Sequence, residues 1–235
     1  MHVVVPFAAA DPKTRLESLL SPAERSRLAR AMLADVVETV VETGHEVVIV
    51  STTPLETTTL DLEGHVLESV SVDVDERALS DAVNARLPGG DEREQDAAAQ
   101  NGEIDGVAVV MADLALATTD ALERLFGADG DVVVAPGRGG GTNALVVRHP
   151  AFRVDYHGAS YLDHCEEASN GGATLETVDS FRLGTDIDEP EDLVEVLVHG
   201  SASNRTRSCL RRLGFELERS SGRVGIARAT PSSTE

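Results

Sequence analysis

The chain reads as a doubly wound α/β domain, with a mostly parallel sheet flanked by helices. Three observations predict this. Unbroken apolar runs, the pattern of strands buried on both faces, recur at His2–Phe7, Glu46–Ser51 and Gly106–Asp113. Helical patterns separate them, as parallel strands need crossover connections. At 235 residues the chain suits one domain with a sizeable core and needs no disulfides to support it.

His2–Phe7 is a strand with a proline near its end. Ser21-Pro22-Ala23-Glu24 opens a helix with a capping box and a proline in the first turn; the helix runs to about Thr43, where Gly44 stops it. Glu46–Ser51 is the second strand and Val66–Val72 the third, followed by a helix at Ala78–Leu87. The acidic, Gly-rich stretch 88–105 reads as solvated loop with a helical piece at Glu94–Gln100. Gly106–Asp113 is a strand, Thr118–Phe126 a helix, and the strands Val132–Ala135 and Ala144–Arg148 flank a Gly137–Asn143 turn. A helix at Tyr161–Ser169, a strand at Thr174–Phe181 and a helix at Glu189–Val198 complete a main body of residues 1–200. The segment 201–235 reads as an Arg-rich appendage: a short helix at Thr206–Leu213, a hairpin of Phe215–Glu218 with Val224–Ala227 around Ser221-Gly222, and a disordered end. No internal repeat or linker interrupts the order.

Net charge is −21, from 41 acidic against 20 basic residues, and Lys13 is the only lysine. Such self-repulsion is screened in molar salt, where the Debye length is about 3 Å, so the composition points to a salt-adapted protein. It argues against nucleic acid or an anionic membrane as partner. No apolar run is long enough to span a bilayer, the Met1–Phe7 run is too short for a signal peptide, and Cys165 and Cys209 form no framework, which together place the chain in a reducing cytoplasm.

In doubly wound folds ligands bind beyond the carboxyl ends of the strands. The loop after the first strand carries Lys13 and Arg15, cations suited to a triphosphate. Asp113 is delivered by a hydrophobic strand, and Asp186 and Asp188, two apart in an extended segment, face one side; carboxylates so placed suit Mg²⁺. Asp188 also suits the N-cap of the helix after Pro190. Pro136–Asn143 is a Gly-rich turn whose backbone N–H groups and Thr142 hydroxyl can meet an anion. Ser160 fits an N-cap at a helix start suited to a phosphate or carboxylate. His164 and Cys165 are adjacent on one helix and do not suggest zinc, and no pattern argues for covalent catalysis.

Taken together, Val5-Pro6-Phe7, Pro12–Leu16, Ala112-Asp113-Leu114, Gly140–Asn143, Tyr156…Ser160…His164 and Asp186-Ile187-Asp188…Pro190–Leu193 resemble the 2-phospho-L-lactate guanylyltransferase family (CofC-like), in a salt-adapted, haloarchaeal-like form. The match runs in order from Val3 to Leu197. The resemblance implies a glycosyltransferase-A-like nucleotidyltransferase fold, GTP and 2-phospho-L-lactate as substrates, and a place in coenzyme F420 biosynthesis. It implies Mg²⁺ on Asp113, Asp186 and Asp188, and Thr142 and Ser160, with Asn143 and His157, at the acid. It implies Lys13, Arg15 and Ser80 at the nucleotide, and a homodimer. Four departures stand out: Ala8-Ala9 where a lysine is usual, Ala115 where proline usually follows Asp113-Leu114, Ser80 where asparagine is common, and His157 where glycine often contacts the acid. Related enzymes use phosphoenolpyruvate or 3-phosphoglycerate. The rivals are a molybdopterin or sugar-phosphate nucleotidyltransferase, and a noncatalytic nucleotide-binding regulatory domain.

Overall fold

The computed structural model describes residues 1–90, 106–219 and 222–229. The expected helical piece at Glu94–Gln100, the Ser221 position of the hairpin turn and the expected disordered end beyond Ala229 lie outside these residues. A seven-stranded sheet has the order β3-β2-β1-β4-β6-β5-β7. Its strands are β1 (His2–Phe7), β2 (Glu46–Ser51), β3 (Val70–Val74), β4 (Val107–Val110), β5 (Val132–Pro136), β6 (Thr142–Val147) and β7 (Leu175–Thr177). The helices are α1 (Pro22–Glu42), α2 (Gly64–Leu67), α3 (Leu79–Asn84), α4 (Thr119–Phe126), α5 (Ser160–Gly171), α6 (Phe181–Gly184), α7 (Asp192–His199) and α8 (Arg205–Arg212).

Successive β1 side chains point to opposite faces. Val3 and Val5 join the core under α1, while Val4 joins a second core with Val109, Val134 and Phe152. All these side chains are nearly fully buried, which is why the strands are unbroken apolar runs. The one departure from parallel pairing is β6, antiparallel to both β4 and β5. It is reached from β5 through the Gly-rich turn, a tight reversal that a parallel connection could not make.

Three expected elements shift. The Val66–Val72 strand is in fact α2 followed by β3: Val66 is buried in the helix, and the strand pairs with β2 only from Val70. The Thr174–Phe181 strand ends at Thr177, because the Ser180 hydroxyl accepts from the Leu183 N–H at 3.3 Å and caps α6. The helix expected from Glu189 starts at Asp192, whose Oδ2 accepts the N–H groups of Asp188 and Glu189 at 3.1 and 2.8 Å. Asp188 is therefore not its N-cap.

The tail segment folds as α8 and a hairpin, β8 (Phe215–Arg219) with β9 (Val224–Arg228). Cys209, Leu210 and Phe215 are buried in the core under α1. Asp35 of α1, itself buried, accepts the N–H groups of Arg205 and Thr206 at 2.8 and 2.9 Å and the Thr206 hydroxyl at 2.6 Å. It satisfies donors at the start of α8 that the helix itself cannot. Arg228 of β9 donates to the Leu19 carbonyl at 2.9 Å and pairs with Glu24, the capping-box residue of α1, whose carboxyl it holds down at about 2.

Candidate active site

The loop leaving β1 is held in a conformation L-residues avoid. Asp11 and Lys13 both have positive φ, 42° and 56°. Arg25, buried on α1, pairs with Asp11 and donates its Nε to the Pro12 carbonyl at 3.1 Å, and the fully buried Leu16 anchors the turn that follows. Strain sustained by surrounding contacts is common where a side chain must be aimed. The side chain aimed here is Lys13. Its ammonium lies 2.7 Å from Asp113 Oδ2 and 3.4 Å from Asp188 Oδ1, with only 11% of the side chain exposed. Burial alone would lower the Lys13 pKa; the Asp113 and Asp188 charges outweigh it and raise it. Arg15 pairs with Asp188 from the solvent side.

Asp113 follows β4, and its carbonyl accepts the Ile187 N–H at 3.2 Å, which fastens the Asp186–Asp188 segment beside the β4 end. Asp186 receives Asn143 Nδ2 at 3.1 Å, and the same nitrogen donates to the Leu183 carbonyl at 2.9 Å. Burial, and then the nearby Asp113 charge, push the Asp186 carboxyl up. Gly137 is required here: a Cβ would collide with the Asn143 side chain.

The three aspartates reach one neighbourhood by different partners, Asp113 and Asp188 through Lys13 and Asp186 through Asn143. Among the described residues no three acidic, histidine or cysteine side chains converge as a ready-made metal cage. The donor set nevertheless suits a hard cation: Asp113 Oδ1 is buried with no hydrogen-bond partner among the described residues, and Asp186 is destabilised by the Asp113 charge.

Thr142 and Ser160 meet. The Thr142 N–H donates to Ser160 Oγ at 2.9 Å, and both side chains are buried. Ser160 is the first residue of α5 rather than its N-cap, which is Ala159, because its oxygen is taken by Thr142. Thr142 Oγ1 also lies 2.9 Å from Nδ1 of His164, a residue with no exposed surface.

Ser80 and His157 stand elsewhere. Ser80 Oγ accepts the Tyr156 N–H at 2.9 Å, and exposed His157 pairs with Asp155 at 2.8 Å, which raises the imidazole pKa. Both line a second cleft, whose walls do not include Lys13 or Asp113.

The cleft that contains Lys13, Asp113 and Asp188 encloses about 330 Å³. Its far wall is mostly apolar, with Phe7, Met32, Val50, Leu79 and Val83, and carries Asp75 and Arg77 just beyond β3. The Arg77 guanidinium beside Asp75, with Arg86 behind it, holds that carboxyl well below the usual range despite burial. An acidic residue at the end of β3 with an arginine two positions on was the available signal for this pair; His164 stood in the Tyr156…Ser160…His164 pattern, but nothing local marked it as the partner of Thr142.

A family model described as guanylyl transferase CofC like matches residues 1–229, so the match takes in the tail. The chain is 65% identical over 236 residues to a 2-phospho-L-lactate guanylyltransferase of Haloterrigena turkmenica, covering 99% of both chains. It is 56% identical to the protein of that name from Natrialba magadii, covering 97% of this chain and 99% of the other. Among solved structures it is similar to a Desulfovibrio desulfuricans protein provisionally described as a nucleotide-diphospho-sugar transferase (TM-score 0.68, 14% identity, 90% and 94% of the two chains). A nucleotidyl transferase from Methanothermobacter thermautotroptrophicus is also similar (TM-score 0.52, 17% identity, 84% and 96%). At such identities these two bear on the fold alone.

Proposed function

Because the chain belongs to the CofC-like guanylyl transferase family, we infer that it transfers GMP from GTP to 2-phospho-L-lactate, giving lactyl-diphospho-guanosine and pyrophosphate in coenzyme F420 biosynthesis. The observation that carries the reading is the Lys13–Asp113–Asp188 cluster beside the carboxyl ends of β1 and β4, at the mouth of an apolar cleft.

The base and ribose occupy the apolar cleft and the triphosphate lies toward Lys13 and Arg15, whose charges offset it. The phosphate oxygen of the acid attacks the α-phosphorus of GTP; the new P–O bond forms as the bond to pyrophosphate breaks. The acid is already anionic, so no general base is needed, and positioning and charge neutralisation do the catalytic work. Thr142 and Ser160 hold the acid beside Asp186, which Asn143 keeps in place. Mg²⁺ held by Asp113, Asp186 and Asp188 would neutralise phosphate charge as a Lewis acid. Ser80 and His157 act from outside the cleft, by holding the Tyr156 segment and pairing with Asp155.

No helix among the described residues is long and apolar enough to cross a membrane, in keeping with a cytoplasmic enzyme. A homodimer remains part of the reading, and sedimentation in molar KCl tests it. The activity test is pyrophosphate release from GTP and Mg²⁺ with 2-phospho-L-lactate, phosphoenolpyruvate or 3-phosphoglycerate. 2-Phospho-L-lactate should be turned over fastest, and Asp113→Asn should abolish release while the thermal transition stays nearly unchanged. Wild-type protein that releases pyrophosphate with none of the acids would overturn the assignment.

A further inference from the structure

The hydroxyls of Thr142 and Ser160 can meet an anion only if each turns its proton outward, and a hydroxyl can equally well turn a lone pair. His164 removes that freedom for Thr142. The Asp155 backbone N–H donates to His164 Nε2 at 3.0 Å. A backbone N–H cannot accept, so Nε2 is the lone-pair nitrogen. The ring is fully buried, and burial pushes its pKa down to about 4 against the opposing charges of Asp163 and Asp155, so it is neutral at working pH. A neutral imidazole carries one proton, which then sits on Nδ1, 2.9 Å from Thr142 Oγ1. Phe152 and Tyr156 pack edge-on against the imidazole, with ring centroids 5.9 and 5.3 Å away, and the Asp155 N–H and Thr142 Oγ1 contacts hold its two nitrogens in place.

We propose that His164 is a positioning residue: its Nδ1–H donates to Thr142 Oγ1 and obliges the Thr142 hydroxyl to donate its own proton to the phosphorylated acid. The Thr142 N–H occupies one side of Ser160 Oγ in the same way. Neither hydroxyl proton has an acceptor among the described residues, so each is free to donate to a bound anion, and the pair can act as a cradle of two donors. The cradle adjoins Asn143, which holds Asp186. The proposal rests on the reading that Thr142 and Ser160 meet the acid acceptor.

Two measurements test it. In ¹⁵N-histidine-labelled wild-type protein, the His164 ring, identified as the signal lost in His164→Asn, should be neutral and protonated at Nδ1. In steady-state kinetics, His164→Asn, whose amide N–H can replace Nδ1–H, should keep the KM for the acid within about threefold. Thr142→Val, and His164→Asp, which accepts from Thr142 instead of donating, should raise that KM about 10- to 150-fold, the range of a charge-assisted hydrogen bond, with the KM for GTP unchanged. An Nε2–H tautomer, a cationic ring, or a His164→Asp enzyme with a wild-type KM for the acid would overturn the proposal. If His164→Asp fails to fold, the tautomer signal and Thr142→Val decide. Wild-type protein that turns over no acid refutes the functional reading instead, and the tautomer signal still decides the donor assignment independently.

Discussion

Replacing Lys13 by alanine and, separately, by glycine distinguishes the two things that residue does. Both changes delete the ammonium that bridges Asp113 and Asp188. A charge-assisted hydrogen bond contributes about 1.5–3 kcal/mol, so kcat/KM for GTP should fall about 10- to 150-fold in either variant. The backbone separates them. At φ 56° and ψ 44° Lys13 is left-handed, which costs an L-residue about 1–2 kcal/mol and glycine little. Lys13→Gly should therefore be more stable than Lys13→Ala by about 1 kcal/mol, since glycine's greater unfolded-state entropy cancels part of the relief. For a domain of this length that is a difference of about 2–4 °C in Tm. Melting curves in molar KCl, with pyrophosphate release measured in parallel, read both quantities. Equal melting temperatures would refute the strain argument, and wild-type kcat/KM in either variant would remove Lys13 from the triphosphate.

Asp35→Ala leaves two backbone N–H groups and the Thr206 hydroxyl without their acceptor; at about 1–3 kcal/mol for each buried orphan, the total loss should exceed 3 kcal/mol and Tm should fall by about 10 °C. A shift under 2 °C would mean that α8 is held by its apolar contacts alone. His164 should make stability fall on acidification. Its folded pKa of about 4 lies below the ordinary 6.5, so between those values the unfolded chain binds the extra proton. Stability is fully present above pH 6.5 and is lost as pH falls toward 4, by about 2 kcal/mol at pH 5. Asp35, raised by burial, acts in the opposite direction, so the quantity to measure is the difference between wild type and His164→Asn in denaturant titrations at pH 7 and pH 5. An equal loss in both would refute the assignment.

What the sequence revealed follows the range of the interactions concerned. β1, β2 and β4 are runs of valine with no competing reading, and both hydrogen bonds of the Ser21–Glu24 capping box are present. β3, β7 and the start of α7 were misplaced because single side chains decide them: Val66 buried in a helix, Ser180 capping one, Asp192 gathering two N–H groups ahead of another. The reversed direction of β6 depends on which strands lie beside it, and no local pattern encodes that. At the site, Lys13, Arg15, Asp113 and Asp188 were legible because strand ends collect ligands and lysine is so scarce. Asn143 as the partner of Asp186, Ser80 as the partner of Tyr156, and His164 as the partner of Thr142 were not, because each bond joins residues 22 to 76 positions apart.

The contact between Arg228 and Leu19 joins residues 209 positions apart, and the adjoining pair with Glu24 reaches the first turn of α1. Arg25, in that same turn, braces the Lys13 loop. During synthesis the loop is made long before the strand that clasps its supporting helix. Until β9 has been made and has folded back, β1 and β2 can form but the helix that braces the Lys13 loop lacks that clasp.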